Sequence, residues 1–171
     1  ANFHAVQALV MCPTRELADQ VTTEIRRLAR ATANIKVVTL CGGVALRGQE
    51  QSLQHGAHVV VGTPGRILDH LTRGNLRLDA VKTLVLDEAD RMLDLGFAED
   101  LQAIALASAQ REQTLMFSAT FAPRIMQLAE KLTKDPIRIA ITAMNQAKPD
   151  IRELIHLADN ESHRIKLLEH Y

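Results

Sequence analysis

The sequence predicts an open, doubly wound α/β sheet of mostly parallel strands, and three observations carry this. Short runs rich in Val, Ile and Leu recur along the chain, and between them lie stretches whose apolar residues repeat at helical spacing. Runs apolar on both faces belong to a sheet covered on both sides, and strict strand–helix alternation implies parallel strands with right-handed crossovers. The length of 171 residues, 47% of them apolar, suffices for one well-buried core.

Residues 5–12 read as a buried strand, after which Leu17, Ala18, Val21, Ile25, Leu28 and Ala29 form one helical face. Residues 35–40 give the second strand, followed by a helix near 45–55. Residues 58–62 give the third strand, with Ile67, Leu68 and Leu71 marking the helix after it. The fourth strand is 83–87, and Phe97, Leu101, Ile104 and Ala105 make the next helical face. The fifth is 114–118, followed by a helix bearing Ile125, Leu128, Ala129 and Leu132. Residues 137–141 close the series as a further strand, and the polar stretch 142–150, with Pro149, reads as a linker. Residues 151–157 then read as a strand and 163–171 as the start of a helix, the way a new α/β unit begins.

Composition excludes several classes. Lys plus Arg and Asp plus Glu each number 20, so any nucleic-acid binding does not rest on overall positive charge. With no Trp, one Tyr and four Phe, the chain has too few aromatics for a base-stacking platform. No apolar run approaches the roughly 20 residues of a membrane helix, and no signal-peptide pattern is visible. Cys12 and Cys41 lie far apart without a CxxC pattern and read as buried thiols. The seven His residues show no HExxH spacing, so no metal is assigned to them.

In an open parallel sheet, ligands bind beyond the carboxyl ends of the strands, and the chemically unusual residues fall there. Asp87, Glu88 and Asp90 follow the apolar run 83–86. Three carboxylates in four positions repel one another unless a cation or a proton offsets them. A divalent metal would do so: nucleoside triphosphatases hold Mg2+ at such a strand-end Asp, and a neighbouring Glu suits the activation of water. An acidic helix N-terminus accounts for the same residues without any ligand. Pro13-Thr14-Arg15 follows the first strand, and Thr63-Pro64-Gly65-Arg66 the third. Each places a Thr where a helix starts, offering backbone N–H groups and a dipole to a phosphate, with Arg15 and Arg66 as added charges. Two capped helices with solvated arginines fit equally well. Gly42-Gly43, after the second strand, permits either a close backbone approach or a plain turn. The hydroxyls of Ser118 and Thr120 are placed to bond Asp90, or to cap the helix that Pro123 starts.

Taken in order, PTRELA (13–18), GG (42–43), TPGR (63–66), DEAD (87–90) and SAT (118–120) each follow a predicted strand. This ordered set resembles the first RecA-like lobe of DEAD-box ATP-dependent RNA helicases over nearly the whole chain. The stretch DEADRMLDLGF (87–97) is similar to short bacterial members. The resemblance implies that Asp87 holds Mg2+ through water and that Glu88 is the general base for ATP hydrolysis. It implies that Asp90, Ser118 and Thr120 link the nucleotide site to lobe closure. Pro13, Thr14, Arg15, Gly43, Thr63, Gly65 and Arg66 would line an RNA backbone, with little sequence preference. ATP and Mg2+ are the implied cofactors, RNA and a second helicase lobe the implied partners, and the cytoplasm the expected location.

The sequence departs from the family pattern in having no GxxxxGK[ST] loop and no second-lobe arginine motifs. The expectation is therefore a lobe-one portion at 1–141 that starts after the phosphate loop, a linker at 142–150, and the start of lobe two at 151–171. In the resembling fold the phosphate-loop strand lies beside the strand that ends in Ser118. An unpaired gap or a collapsed edge is expected next to 114–117, with low stability or self-association of the chain, and the chain alone is expected to be inactive. A non-catalytic RNA-binding or scaffold module on the same fold is a competing reading, and so is a DNA-acting relative.

Overall fold

A computed structural model describes residues 5–32, 34–141 and 156–170. The chain divides into two units, Ala1–Pro136 and Ile137–Tyr171, each described by itself.

The first unit carries five strands: β1 (Ala8–Met11), β2 (Val37–Leu40), β3 (Val59–Gly62), β4 (Thr83–Leu86) and β5 (Gln113–Met116). All pair in parallel, in the order β2-β3-β1-β4-β5. Six helices connect or follow them: α1 (Arg15–Ala29), α2 (Leu46–Gln54), α3 (Pro64–Thr72), α4 (Ala89–Asp94), α5 (Ala98–Ala107) and α6 (Pro123–Leu132). The alternation of β1 divides the core. Leu9 and Met11 join Ile67 of α3, Met92 of α4, Leu101 and Ile104 of α5, and Leu128 of α6 in the larger apolar cluster. Val10 and Cys12 join Ala18, with Leu17, Val21 and Ile25 of α1, in the smaller one. Two clusters served by alternate residues of one strand are what a doubly wound sheet requires.

Register decides where the loops emerge. Met11 pairs with both Gly62 and Leu86, Leu40 with Gly62, and Leu86 with Met116. The five strands thus end level, and Cys12, Cys41, Thr63, Asp87 and Phe117 all begin their loops along one edge. Gly62 is required at its place, because a Cβ there would collide with the main-chain oxygen of Leu40. Cys12 and Cys41 flank β3 on this edge, both buried and free. Two strand spacings of ~4.8 Å separate their backbones, beyond disulfide reach.

Three features differ from the sequence expectation. Residues 137–141 form no strand, and Ile137, Ile139 and Ile141 are 90%, 79% and 94% exposed. The alternation I-R-I-A-I has a strand's period, but a strand also needs a ladder partner, and none pairs with this segment among the described residues. Leu28 stands 72% exposed, so the apolar face of α1 does not run its full length. The short helix α4, directly after the acidic motif, had no periodic signal of its own.

Among the described strands β5 is an edge, and Leu115 and Phe117 are exposed along it. The linker expected at 142–150 and most of the strand expected at 151–157 lie outside the described residues. In the second unit α7 (Glu161–His170) is formed, and Asn160 Oδ1 accepts a hydrogen bond from the His163 amide at its start (2.9 Å). No helix among the described residues is long and apolar enough to cross a membrane.

Candidate functional site

The acidic motif is fastened to the sheet before it turns. The Asp87 amide donates to Met11 O (2.9 Å), and the Ala89 amide to Phe117 O (2.9 Å). Between these anchors Asp87 Oδ1 accepts from the Glu88 amide (3.0 Å), and Glu88 adopts a left-handed backbone, φ 51° and ψ 54°. That conformation costs a non-glycine residue about 1–2 kcal/mol. It turns the chain sharply enough for α4 to start at Ala89.

Asp90 Oδ2 accepts from the Thr120 hydroxyl (3.2 Å), joining the loop after β4 to the loop after β5. Ser118 takes a different partner, donating to Thr120 O (2.8 Å) and shaping its own loop. Arg91 approaches Glu88 at 3.4 Å, with both side chains well exposed, so the pair is weakly held. No cation pairs with Asp87 within 4.0 Å among the described residues, and no three metal-ligating side chains cluster there. The acidic edge also acts on its neighbour: burial first, then the charges of Asp87, Cys41 and Glu88, push the Cys12 thiol up to about 12.

A second group of residues gathers beyond β1, β2 and β3. Thr14 caps α1 by accepting from the Leu17 amide (3.3 Å), and Pro64 opens α3 after Thr63. Gly43 has φ +74°, and a Cβ there would lie 3.7 Å from Arg15 Nη1, so the GG turn and the first arginine are neighbours. Gly65 faces α5, where a Cβ would meet Asp100 at 3.6 Å. Pro13 is buried, whereas Arg15 is exposed. An open hollow of about 350 Å³ is lined by Arg15, Thr39, Cys41, Val44 and Gln49, among others. Arg66 is held more tightly: its Nη1 donates to Val44 O (3.1 Å) and to Gln49 Oε1 (3.1 Å).

Gln49 and His70 were not found by sequence reasoning. Gln49 sits on α2 among polar neighbours, and a buried amide leaves no mark in hydrophobic periodicity. The acidic group and the GG turn lie about three strand spacings, ~14 Å, apart along the edge. One row of loops thus presents carboxylates at one end and arginines at the other.

A parallel sheet that sends an acidic turn and three backbone-offering loops from one edge is a RecA-like lobe. A sequence model of the DEAD/DEAH box helicase family matches residues 1–128, and the chain belongs to that family. It is 49% identical to the ATP-dependent RNA helicase DbpA of Escherichia coli K12, over 87% of this chain and 33% of that protein. It is 45% identical to the DEAD-box ATP-dependent RNA helicase CshA of Geobacillus kaustophilus, over 87% of this chain and 32% of that protein. Among solved structures, a DEAD box protein from the hyperthermophile Methanococcus jannaschii superposes with a TM-score of 0.73 at 45% identity, covering 77% of this chain and 36% of that one. The yeast DEAD-box splicing factor Prp28 does so with a TM-score of 0.79 at 34% identity, covering 97% and 40%. The chain spans about a third of the length of the curated relatives it matches.

Proposed function

We propose that the chain is the lobe-one portion of a protein that couples ATP binding and hydrolysis to the remodelling of RNA duplexes. The observation that carries this is the level strand edge, which sets the DEAD turn, its threonine tie to the SAT loop, and the three backbone-facing loops in one row. Relatives at 49% and 45% identity, named as ATP-dependent RNA helicases, support it.

The residues fit one flank of a magnesium–nucleotide complex. Asp87 offers a half-buried carboxylate at a strand end with no competing cation among the described residues. The other flank, a GxxxxGK[ST] cradle, is not in this sequence. Bound there, magnesium would neutralise charge on the terminal phosphates. Asp87 would hold that ion through water. Glu88, turned outward by its left-handed backbone, would take the proton of the attacking water. The Asp90–Thr120 bond would pass movement of the nucleotide site to the loop after β5, with Ser118 stiffening that loop. Thr14, Arg15, Gly43, Thr63, Gly65 and Arg66 would grip the sugar–phosphate backbone of one strand, and Pro13 would shape the turn from beneath. The remaining catalytic groups would come from a second lobe.

The test is RNA binding by the full-length protein. Arg15→Ala and Arg66→Ala should each weaken binding about tenfold, equally for unrelated sequences. Each should also reduce the dependence on salt by about one phosphate contact. A sequence-selective loss, or equal affinity for DNA before and after substitution, would contradict the reading.

A further inference from the structure

The hydrogen bonds around Gln49 can be assigned direction by direction. Cys41 O, a main-chain carbonyl, only accepts, so the group facing it at 2.8 Å is the Gln49 amide nitrogen. That fixes Oε1 on the other side, where it meets Arg66 Nη1 at 3.1 Å and His70 Nε2 at 2.9 Å. An amide oxygen has two lone pairs, and both are used. His70 must therefore carry its proton on Nε2. Its other nitrogen, Nδ1, is buried without a partner among the described residues, in a side chain that is fully buried. A polar contact of this kind is retained in a core at a cost, so something must depend on it.

What depends on it is the aim of Arg66. Nη1 has two hydrogens, and both are consumed, by Gln49 Oε1 and by Val44 O (3.1 Å). Nε faces Asp69 at 3.9 Å. A planar guanidinium held along two sides can present only its remaining Nη2 edge. The same amide ties Cys41, at the root of the GG turn, to α3. We infer that Gln49 and His70 are positioning residues. They form a buried clamp that fixes the guanidinium of Arg66 and locks the GG and TPGR loops into one rigid unit, so that both meet an RNA backbone in a single preset geometry. The RNA part of this inference rests on the function proposed above; the clamp itself does not.

Two measurements on the full-length protein test it. The first needs no RNA and no variant. By NMR, the Arg66 guanidinium should show hindered rotation, with distinct Nη signals, whereas the exposed Arg15 should show averaged ones. An averaged Arg66 signal overturns the clamp. The second is a double-mutant cycle on oligouridine binding with Gln49→Met and Arg66→Ala. Gln49→Met alone should weaken binding by about three- to tenfold with ATP affinity unchanged, and should add nothing once Arg66 is alanine. Additive losses overturn the positioning role. A held guanidinium together with unaltered RNA binding by Arg66→Ala supports the clamp and overturns the RNA role of Arg66 instead.

Discussion

Glu88 is strained, and the proposed reaction would have it act on water. A left-handed glutamate is uncommon, and here two main-chain anchors on either side, at Asp87 and Ala89, keep it so. If it acts on water, Glu88→Gln in the full-length protein should abolish hydrolysis and leave ATP affinity within about twofold, because the lost interaction belongs to the transition state. Nucleotide titration beside turnover measures this, and equal losses in both would make the role structural. His70 gives a pH signature. Burial first, then the charge of Arg66, holds its pKa below the ordinary 6.5, with Asp69 and Glu50 opposing. The unfolded chain therefore takes up the proton first as pH falls. Stability is intact above about 6.5 and drains away through the window between that value and the lowered folded one. Tm followed from about pH 7.5 to about 5 should fall, and His70→Phe should flatten the fall. An unchanged slope in the variant would assign the effect to other groups.

Among the elements, α5, α6 and β5 meet at one arginine. Arg111 donates from Nε to Thr114 Oγ1 (2.7 Å), from Nη1 to Ala105 O (2.7 Å) and Ser108 O (3.0 Å), and from Nη2 to Leu132 O (2.7 Å). It thus adds donors to carbonyls at the ends of two helices, where Ala105 O also accepts from Ser108 Oγ (3.3 Å) and Ser108 O from the Arg111 amide (3.1 Å). Arg111→Met should lower stability by about 1–3 kcal/mol, measured by urea unfolding, through the lost donor to Leu132 O and not lost charge pairing. A loss below about 0.5 kcal/mol, the range of an ordinary surface change, would contradict this. Nothing in the sequence marks Arg111 for such a part, since one charged residue in a turn reads as solvated. Four of the five strands were legible as compact runs rich in Val and Leu, β5 (Gln-Thr-Leu-Met) less so, and the motif loops because each follows a strand. The supposed strand at 137–141 was misread because alternation reports side-chain facing and says nothing of a backbone partner. Gln49 and His70 were invisible because buried polar pairs are set by geometry between helices α2 and α3, across 21 positions of sequence.

For the molecule as a whole, the sheet's two sides are unequal. β1 is buried from Leu9 to Met11, while β5 at the edge alternates exposed and half-buried residues, with Leu115 and Phe117 outward. An apolar edge without charge or proline tends to recruit another strand. The 171-residue chain purified by itself should therefore self-associate and show no ATP turnover, and Leu115→Lys should shift it toward monomer. Sedimentation velocity checks this; a stable monomer with the wild-type edge would show that the edge is covered in some other way. At the opposite side of β1, Gly62 sets a limit of another kind. Its α-hydrogen faces a carbonyl and not a side chain, so no neighbouring residue can shrink to make room for a larger one. Mutational drift elsewhere in the core can trade volume between partners. Position 62 has no partner to trade with, so a side chain there could be admitted only by moving the β2 main chain itself, and with it the level at which that strand ends.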